Sequence, residues 1–361
     1  MPYRNVTFAE ESIGLMTYSA SWRSPSNIAL IKYWGKHGLQ LPRNPSLSFT
    51  LSACHTDMQL NATPEAATPG LVVMYEGSPR PAFEQKIKIF FSLVADRFPW
   101  LSRASVVIDS VNTFPHGAGI ASSASAMSAL ALCLMDIHDQ VQGRLSPAGA
   151  DWWCQASEVA RLGSGSACRS VYPIAGLWGE AFGVADSSDA YAIPWGNEMA
   201  PVYHDFQDTI LIVSTKEKAV SSTAGHKLMD GLPYADIRYS VAKNNLTSLC
   251  EIMRHPDALD RFITIVESEA LQLHALMMSG DSPFILMEPG TLSLIKEIWR
   301  VRKESGIPVC FTLDAGPNVH LLFPKAYSAP ILNWIESTLS FYCAEGRYIL
   351  DSVGKGPEKL L

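Results

Sequence analysis

Charge is scarce in this chain. Asp, Glu, Lys and Arg together make 17% of its 361 residues, and the net charge is −7. Lysine and arginine nowhere form a run, so general nucleic-acid binding is not expected. A local pocket can still take a small anion. No stretch of 18 apolar residues appears, so no membrane span is expected. The cysteines are seven in number and scattered: Cys54, Cys133, Cys154, Cys168, Cys250, Cys310 and Cys343. An odd count without C-x-x-C spacing argues against a disulfide framework or a zinc ribbon. It points to reduced, mostly buried thiols in a cytoplasm. The first sixteen residues carry Arg4, Glu10 and Glu11 and no apolar h-region, so no secretory signal is expected. Metal-ligand spacing of His, Asp, Glu and Cys is also missing, as are a Walker loop and a Gly-x-Ser-x-Gly elbow.

Apolar residues, by contrast, make 47% of the chain. That is enough for a substantial core, and the length suits two domains or one large one. Leu47, Phe49 and Leu51 alternate with Ser46, Ser48, Thr50 and Ser52, which predicts a half-buried strand. Residues 72–75 and 106–111 are further strand candidates. Residues 83–98 read as a helix with Ile87, Phe90, Phe91 and Val94 on one face. Met127, Leu130, Leu134, Ile137 and Val141 predict an amphipathic helix. Residues 151–162 form another, with Gly163 placed to stop it. After a polar stretch at 184–208 comes a strand at 209–213. Helices follow at 234–249, 257–278 and 291–305, then two strand-like runs at 309–313 and 319–323. The expectation is an α+β (mixed α/β) chain, divided into domains at 1–205 and 206–361.

Four segments could carry chemistry. Residues 114–126 (Phe-Pro-His-Gly-Ala-Gly-Ile-Ala-Ser-Ser-Ala-Ser-Ala) run from two glycines into a helix. Such a loop lets backbone N–H groups and a helix N-terminus approach a phosphate, or it is a tight turn with a Ser cap. Residues 163–170 (Gly-Ser-Gly-Ser-Ala-Cys-Arg-Ser) offer hydroxyls and Arg169, which can grip phosphate bidentately. They also fit a plain loop after a helix. In residues 27–36 (Asn-Ile-Ala-Leu-Ile-Lys-Tyr-Trp-Gly-Lys), Lys32 lies in an apolar run. It needs a carboxylate or phosphate partner there, unless it snorkels from an edge strand. In residues 312–318 (Thr-Leu-Asp-Ala-Gly-Pro-Asn), an acid at a strand end suits a general base, or is ordinary turn chemistry. His37, His116 and His320 lie near these segments without forming a set.

Together, and in this order, the four segments resemble the diphosphomevalonate decarboxylase family of the GHMP small-molecule kinase superfamily. Weaker matches occur at 44–48 (Asn-Pro-Ser-Leu-Ser), 218–223 (Lys-Ala-Val-Ser-Ser-Thr) and 353–357 (Val-Gly-Lys-Gly-Pro). The resemblance implies a two-domain GHMP kinase fold with the active site in the interdomain cleft, ATP and Mg²⁺, and a homodimer. It implies Asp314 and Lys32 as the catalytic pair. Tyr33, Lys36, Ser164, Ser166, Arg169 and Ser222 are the matching substrate positions. Gly117, Ala118, Gly119, Ser122, Ser123 and Lys218 match the nucleotide positions, and Ser122 is the candidate Mg²⁺ ligand. The family reaction converts mevalonate 5-diphosphate and ATP into isopentenyl diphosphate, ADP, phosphate and CO₂. There are departures: Pro45 replaces a serine, Lys86 stands where an arginine reaches substrate phosphate, His116 replaces a threonine, and the segment before Tyr18 is long. Alternatives are a decarboxylase of the monophosphate, a kinase that stops at the 3-phosphate, and an inactive binding protein on the same fold.

Overall fold

The structure, a computed structural model, describes residues 16–115, 120–216 and 222–361. Gly117, Ala118, Gly119 and Lys218 lie outside the described residues, as do His116 and the side chain of Ser222. In chain order the first half runs β1 (Tyr18–Ala29), a short hairpin of β2 (Lys36–His37) and β3 (Leu41–Pro42), β4 (Ser46–Thr63), β5 (Gly70–Tyr75), β6 (Ser78–Pro79), α1 (Pro81–Val94), β7 (Ser105–Asn112), α2 (Ser122–Val141), α3 (Gly149–Gly163), β8 (Ala175–Trp178) and β9 (Ala192–Pro194). The second half continues with α4 (Pro201–His204), β10 (Phe206–Leu211), α5 (Ser222–Lys227), α6 (Ala235–Ile252), α7 (Leu259–Met278), α8 (Pro289–Ser305), β11 (Cys310–Thr312), β12 (Val319–Pro324), α9 (Ser328–Ser337), β13 (Tyr348–Ser352) and β14 (Glu358–Lys359).

The long β4 is the spine of the first sheet, where the order β14-β1-β4-β7-β5-β6 is joined at β4 by β8 and then β9. Pairing is antiparallel except between β5 and β7. The second sheet, β11-β12-β10-β13, is antiparallel throughout. The chain does not stay in the half it is building. The final strand returns to the first sheet, pairing Trp22 with Lys359 and Arg23 with Glu358. One apolar core contains Ile28, Leu47 and Phe49 together with Phe206, Phe262 and Leu322, so the two sheets share a packed interior.

Three local expectations need correction. The Ser–apolar alternation of 46–52 does form a strand, but Ser46, Ser48 and Thr50 are as buried as their apolar neighbours. Hydroxyls on this face bond inward, Thr50 Oγ1 to the Tyr172 carbonyl at 2.8 Å and both serines to Arg169. Helix α2 is buried nearly all round rather than along one stripe, because the sheet covers one side and α3 another. Its Asp136 and Asp139 take donors from Trp22 and Trp152. Gly163 does not stop α3 with a left-handed turn. It is the last helical residue, and Ser164 after it is extended. A Cβ at 163 would stand 2.8 Å from Met127 Sδ, so the small residue is there for the close crossing of α2 and α3.

Register shifts between β1 and β4 at Pro25 and Asn27, where Pro25 faces His55 and Asn27 faces Thr50. The extra residues of β4 bulge out, which leaves backbone N–H groups without strand partners. Asp351 of β13 fills that gap. Its carboxylate accepts the N–H groups of Ser52, Ala53 and Cys54 at 2.8, 2.7 and 2.7 Å. Beside it Gly354 lies on the β4 backbone, where a Cβ would come within 2.2 Å of the Leu51 carbonyl oxygen. The 353–357 segment therefore has a packing reason for its glycine. Asp351→Ala is expected to lower stability by about 2–3 kcal/mol, since the three β4 amides, and the Ser352 amide with them, lose a charged acceptor. Urea unfolding of both proteins measures it, and a loss under ~0.5 kcal/mol would show that water replaces the carboxylate.

Candidate active site

The peptide after β1 leaves the strand ladder. The N–H groups of Leu30 and Ile31 both reach the Leu47 carbonyl, and the chain turns Lys32 into the interior. Burial of an ammonium needs a compensating charge, and Lys32 Nζ has one in Asp314 Oδ1 at 3.0 Å. The lysine side chain is 2% exposed and the aspartate 23%, so the carboxylate opens to solvent and the ammonium does not. Burial lowers the Lys32 pKa, while Asp314 and then Glu269 pull it back up.

Asp314 follows β11 in the turn to β12, and that turn is fixed on several sides. Gly316 N–H donates to the Asp314 carbonyl at 2.7 Å. Thr291 Oγ1, in the first turn of α8, donates to the Pro317 carbonyl at 2.6 Å. The Asn318 side chain accepts the Ser214 N–H at 3.0 Å. His274 of α7 donates from Nε2 to the Asp314 carbonyl at 3.2 Å, which assigns the proton to that nitrogen.

Arg169 lies in the short 3₁₀ segment after α3 and is 2% exposed. Its guanidinium donates to Ser48 Oγ at 3.0 Å, Ser46 Oγ at 2.5 Å and Asn27 Oδ1 at 3.2 Å. All of these partners are neutral, and among the described residues no carboxylate forms an ion pair with it. Its charge is felt at both Lys32 and Asp314. Around it, Tyr33 packs on Trp178 and His226 at ring distances of 4.7 and 4.4 Å. Among the described residues the buried Tyr33 hydroxyl has no hydrogen-bond partner, and burial raises its pKa. Ser166 presents its carbonyl to Asn27 Nδ2 at 3.1 Å. Lys36, on the β2–β3 hairpin, is half-buried and donates to Gln40 at 2.9 Å.

Ser122 and Ser123 open α2, preceded by Ala121 in the left-handed region at φ 47°. The N-cap is Ala121, not a serine, which overturns the Ser-cap reading, and among the described residues no side chain accepts from the first-turn N–H groups. Both serines line a cleft with Phe83, Lys86, Ser110 and Asn112. Ser123 Oγ is 3.4 Å from Ser164 Oγ, the one side-chain bridge among the described residues between this helix start and the Arg169 segment. Lys86 Nζ sits over the Phe83 ring at 6.0 Å. The structure thus brings Lys32, Asp314, Arg169 and Tyr33 together, with Lys36 on an adjoining hairpin, and sets Ser122 and Ser123 on the far side of Ser164.

Several residues at this centre were not anticipated. Glu269 and Arg238 are fully buried and hydrogen-bond to Lys32's backbone. Asn44 donates to the Lys32 carbonyl at 3.1 Å. His226 accepts the Gly35 N–H at 3.0 Å, and His274 donates to the Asp314 carbonyl. A signal existed for two of them: Glu269 and His274 interrupt the apolar side of the 20-residue α7. Arg238 lies in a mixed helix of no marked polarity and gave none.

Residues 24–192 match the diphosphomevalonate decarboxylase-like N-terminal domain, and residues 209–358 the mevalonate 5-diphosphate decarboxylase C-terminal domain. The diphosphomevalonate decarboxylase of Ganoderma lucidum is 32% identical over 345 residues, which cover 89% of this chain and 82% of that protein. The chain belongs to the diphosphomevalonate decarboxylase family. Among solved structures, mevalonate diphosphate decarboxylase from Staphylococcus aureus superposes with a TM-score of 0.81 at 27% identity, covering 96% of this chain and 99% of that one. MDDEF in complex with MVAPP, AMPPCP and magnesium superposes at 0.79 with 28% identity and the same coverage. Membership in the decarboxylase family accounts for the mixed helix-and-sheet, two-part GHMP kinase fold. Among the described residues no helix is long and apolar enough to cross a membrane.

Burial holds His274 neutral and lowers its pKa to about 4, against an ordinary 6.5. Between those values the unfolded chain binds the proton and the folded one does not, so stability falls as pH drops. His274→Gln keeps a donor for the Asp314 carbonyl and removes the titration. The stability of the wild type relative to this variant is expected to fall by roughly 3 kcal/mol between pH 7 and pH 4, at about 1.4 kcal/mol per unit. Urea unfolding across that range reads it, and a difference independent of pH would show that His274 titrates normally.

Proposed function

We propose that this protein converts mevalonate 5-diphosphate and ATP into isopentenyl diphosphate, ADP, phosphate and CO₂. The observation that carries the reading is the Lys32–Asp314 pair, contributed by the two halves of the chain. The substrate's 3-hydroxyl is tertiary and a poor leaving group, so it must first be phosphorylated. Asp314, the more exposed partner, accepts the hydroxyl proton as the oxygen attacks the γ-phosphorus. Lys32 Nζ offsets the negative charge that develops on the reacting oxygens. The C3–O bond then breaks and phosphate leaves with the electron pair. The electrons of the bond to the carboxylate form the C2–C3 double bond as CO₂ departs.

The 5-diphosphate end is assigned to Arg169, with Tyr33, Lys36, Ser164, Ser166 and Ser222. A buried guanidinium with only neutral partners suits an incoming anion, and it has further N–H groups to give. The buried Tyr33 hydroxyl supplies an unused donor beside it. The ATP phosphates are assigned to Gly117, Ala118, Gly119 and Lys218 and to the uncapped first turn of α2 with Ser122 and Ser123. Mg²⁺ bound with those phosphates would neutralise their charge. Among the described residues no cluster of His, Cys, Asp and Glu could hold the ion. That fits an ion held mainly by phosphate oxygens and water, with Ser122 Oγ as the protein ligand we assign.

An ADP-coupled assay with CO₂ capture, run on mevalonate, its 5-phosphate and its 5-diphosphate, tests the reading. Turnover of the diphosphate with both products is expected. ADP without CO₂ would make the protein a kinase, and preference for the monophosphate would move the assignment of the Arg169 pocket. Asp314→Asn keeps the shape and removes the base, so kcat should fall by about 10²-fold or more with little change in KM. A variant retaining over about a tenth of wild-type kcat would exclude Asp314 as the base. Arg169→Lys keeps the charge and loses the fork. KM for the isoprenoid substrate should rise about tenfold or more, with KM for ATP unchanged and the fold verified by its Tm. A rise confined to ATP would mean the two phosphate sites are interchanged.

A further inference from the structure

We propose that the buried Glu269–Arg238 pair is a positioning element for Lys32, gripping its backbone N–H and carbonyl so that Nζ stays against Asp314. The proposal rests on the reading of Lys32 and Asp314 as the reacting pair. Lys32 N–H donates to Glu269 Oε2 at 2.9 Å. The Lys32 carbonyl accepts Arg238 Nη2 at 3.4 Å and Asn44 Nδ2 at 3.1 Å. Glu269 and Arg238 are joined by two further bonds, at 2.8 and 2.5 Å. Asn245 Nδ2 donates to the same carboxylate at 2.7 Å. The two charged residues are 0% and 3% exposed.

A buried ion pair is a poor device for stability alone, because well-packed apolar residues often do as well or better. The direction of the contacts is what distinguishes this one. Arg238 comes from α6 and Glu269 from α7, both in the second half of the chain, and both reach across to the backbone of one residue of the first half. The same α7 donates from His274 to the Asp314 carbonyl, so one helix fixes the backbone of both members of the pair. Lysine has a flexible four-carbon stem. With its Nζ only 3.0 Å from Asp314, a backbone shift of an ångström would open the contact, and such a shift costs up to ~10²-fold in rate.

Charge adds a second effect with its own signature. The groups whose charge acts on Lys32 are Asp314 from the β11–β12 turn, Glu269 from α7 and Arg169 from the 3₁₀ segment. Asp208 of β10 and His274 are coupled to it as well, and Arg238 of α6 touches its carbonyl. Glu269 favours the protonated ammonium. Removing its charge lowers the pH at which Lys32 deprotonates, so the alkaline limb of kcat moves to lower pH.

The test uses the full-length enzyme with mevalonate 5-diphosphate and ATP. Glu269→Gln should lower kcat by about tenfold to a hundredfold, with both KM values within about twofold of wild type and the alkaline limb displaced downward. If that variant fails to fold, the paired replacement Arg238→Met with Glu269→Leu serves. It should remain folded, since it removes both charges together and leaves neither buried alone, and still lose kcat. A folded variant with wild-type kcat and an unmoved alkaline limb overturns the proposal, as does a kcat loss accompanied by an equal rise in KM. A wild-type enzyme that releases no ADP or CO₂ overturns the reading of the site itself, and the positioning role with it.

Discussion

An ammonium group buried to within a few per cent of complete desolvation can persist only beside a negative charge, and for Lys32 that charge comes from 282 residues further along the chain. This constraint organises the centre of the molecule. The two sheets must meet, and they meet through a shared core in which Phe49 of β4 packs on Phe206 and Phe262 at ring distances of 5.8 and 6.3 Å. The turn that carries Asp314 must then be held rigidly, because a carboxylate displaced toward solvent would leave the ammonium unpaired. The contacts from Thr291, Ser214 and His274 provide that rigidity.

Buried charges around this pair are of two kinds. Behind Lys32, Glu269 and Arg238 neutralise one another, with Asn245 bonded to the carboxylate and Gln272 to the guanidinium. In front, the hydrogen-bond acceptors of the Arg169 guanidinium among the described residues are hydroxyls and an amide. A protein interior tolerates the second kind only where hydrogen bonds to neutral dipoles are numerous. Ser46, Ser48 and Asn27 are those dipoles, which explains why one face of a strand that ought to be apolar or solvated is lined with buried serine. In the proposed reaction the substrate's anion completes the compensation.

The halves are tied at a distance from the site as well. Asp351 reaches from β13 to the bulge of β4, and Lys359 from the last strand to Asp136 in α2 at 2.9 Å. Each tie joins a late segment of the chain to an early one, and the Asp351 tie also joins the second sheet to the first.

Much was legible in the sequence. The apolar spacings within 83–98 and 127–141 mark helices, the first ending at Val94, because apolar residues at helical spacing must be covered wherever the helix lies. Lys32 in an apolar run called for an anionic partner unless its ammonium reached solvent, since an unpaired buried charge is costly in any fold. The ordered set of segments also pointed to the family. What sequence could not settle was set by contacts between distant residues. Whether Ser46 and Ser48 face water or a guanidinium depends on where Arg169 lands. Whether Gly163 ends a helix or admits a neighbour depends on Met127. That Glu269 and Arg238, 31 residues apart on separate helices, converge on the backbone of Lys32 follows from the packing of α6 against α7, because hydrogen bonds are directional and short and only the folded chain fixes which groups come within reach.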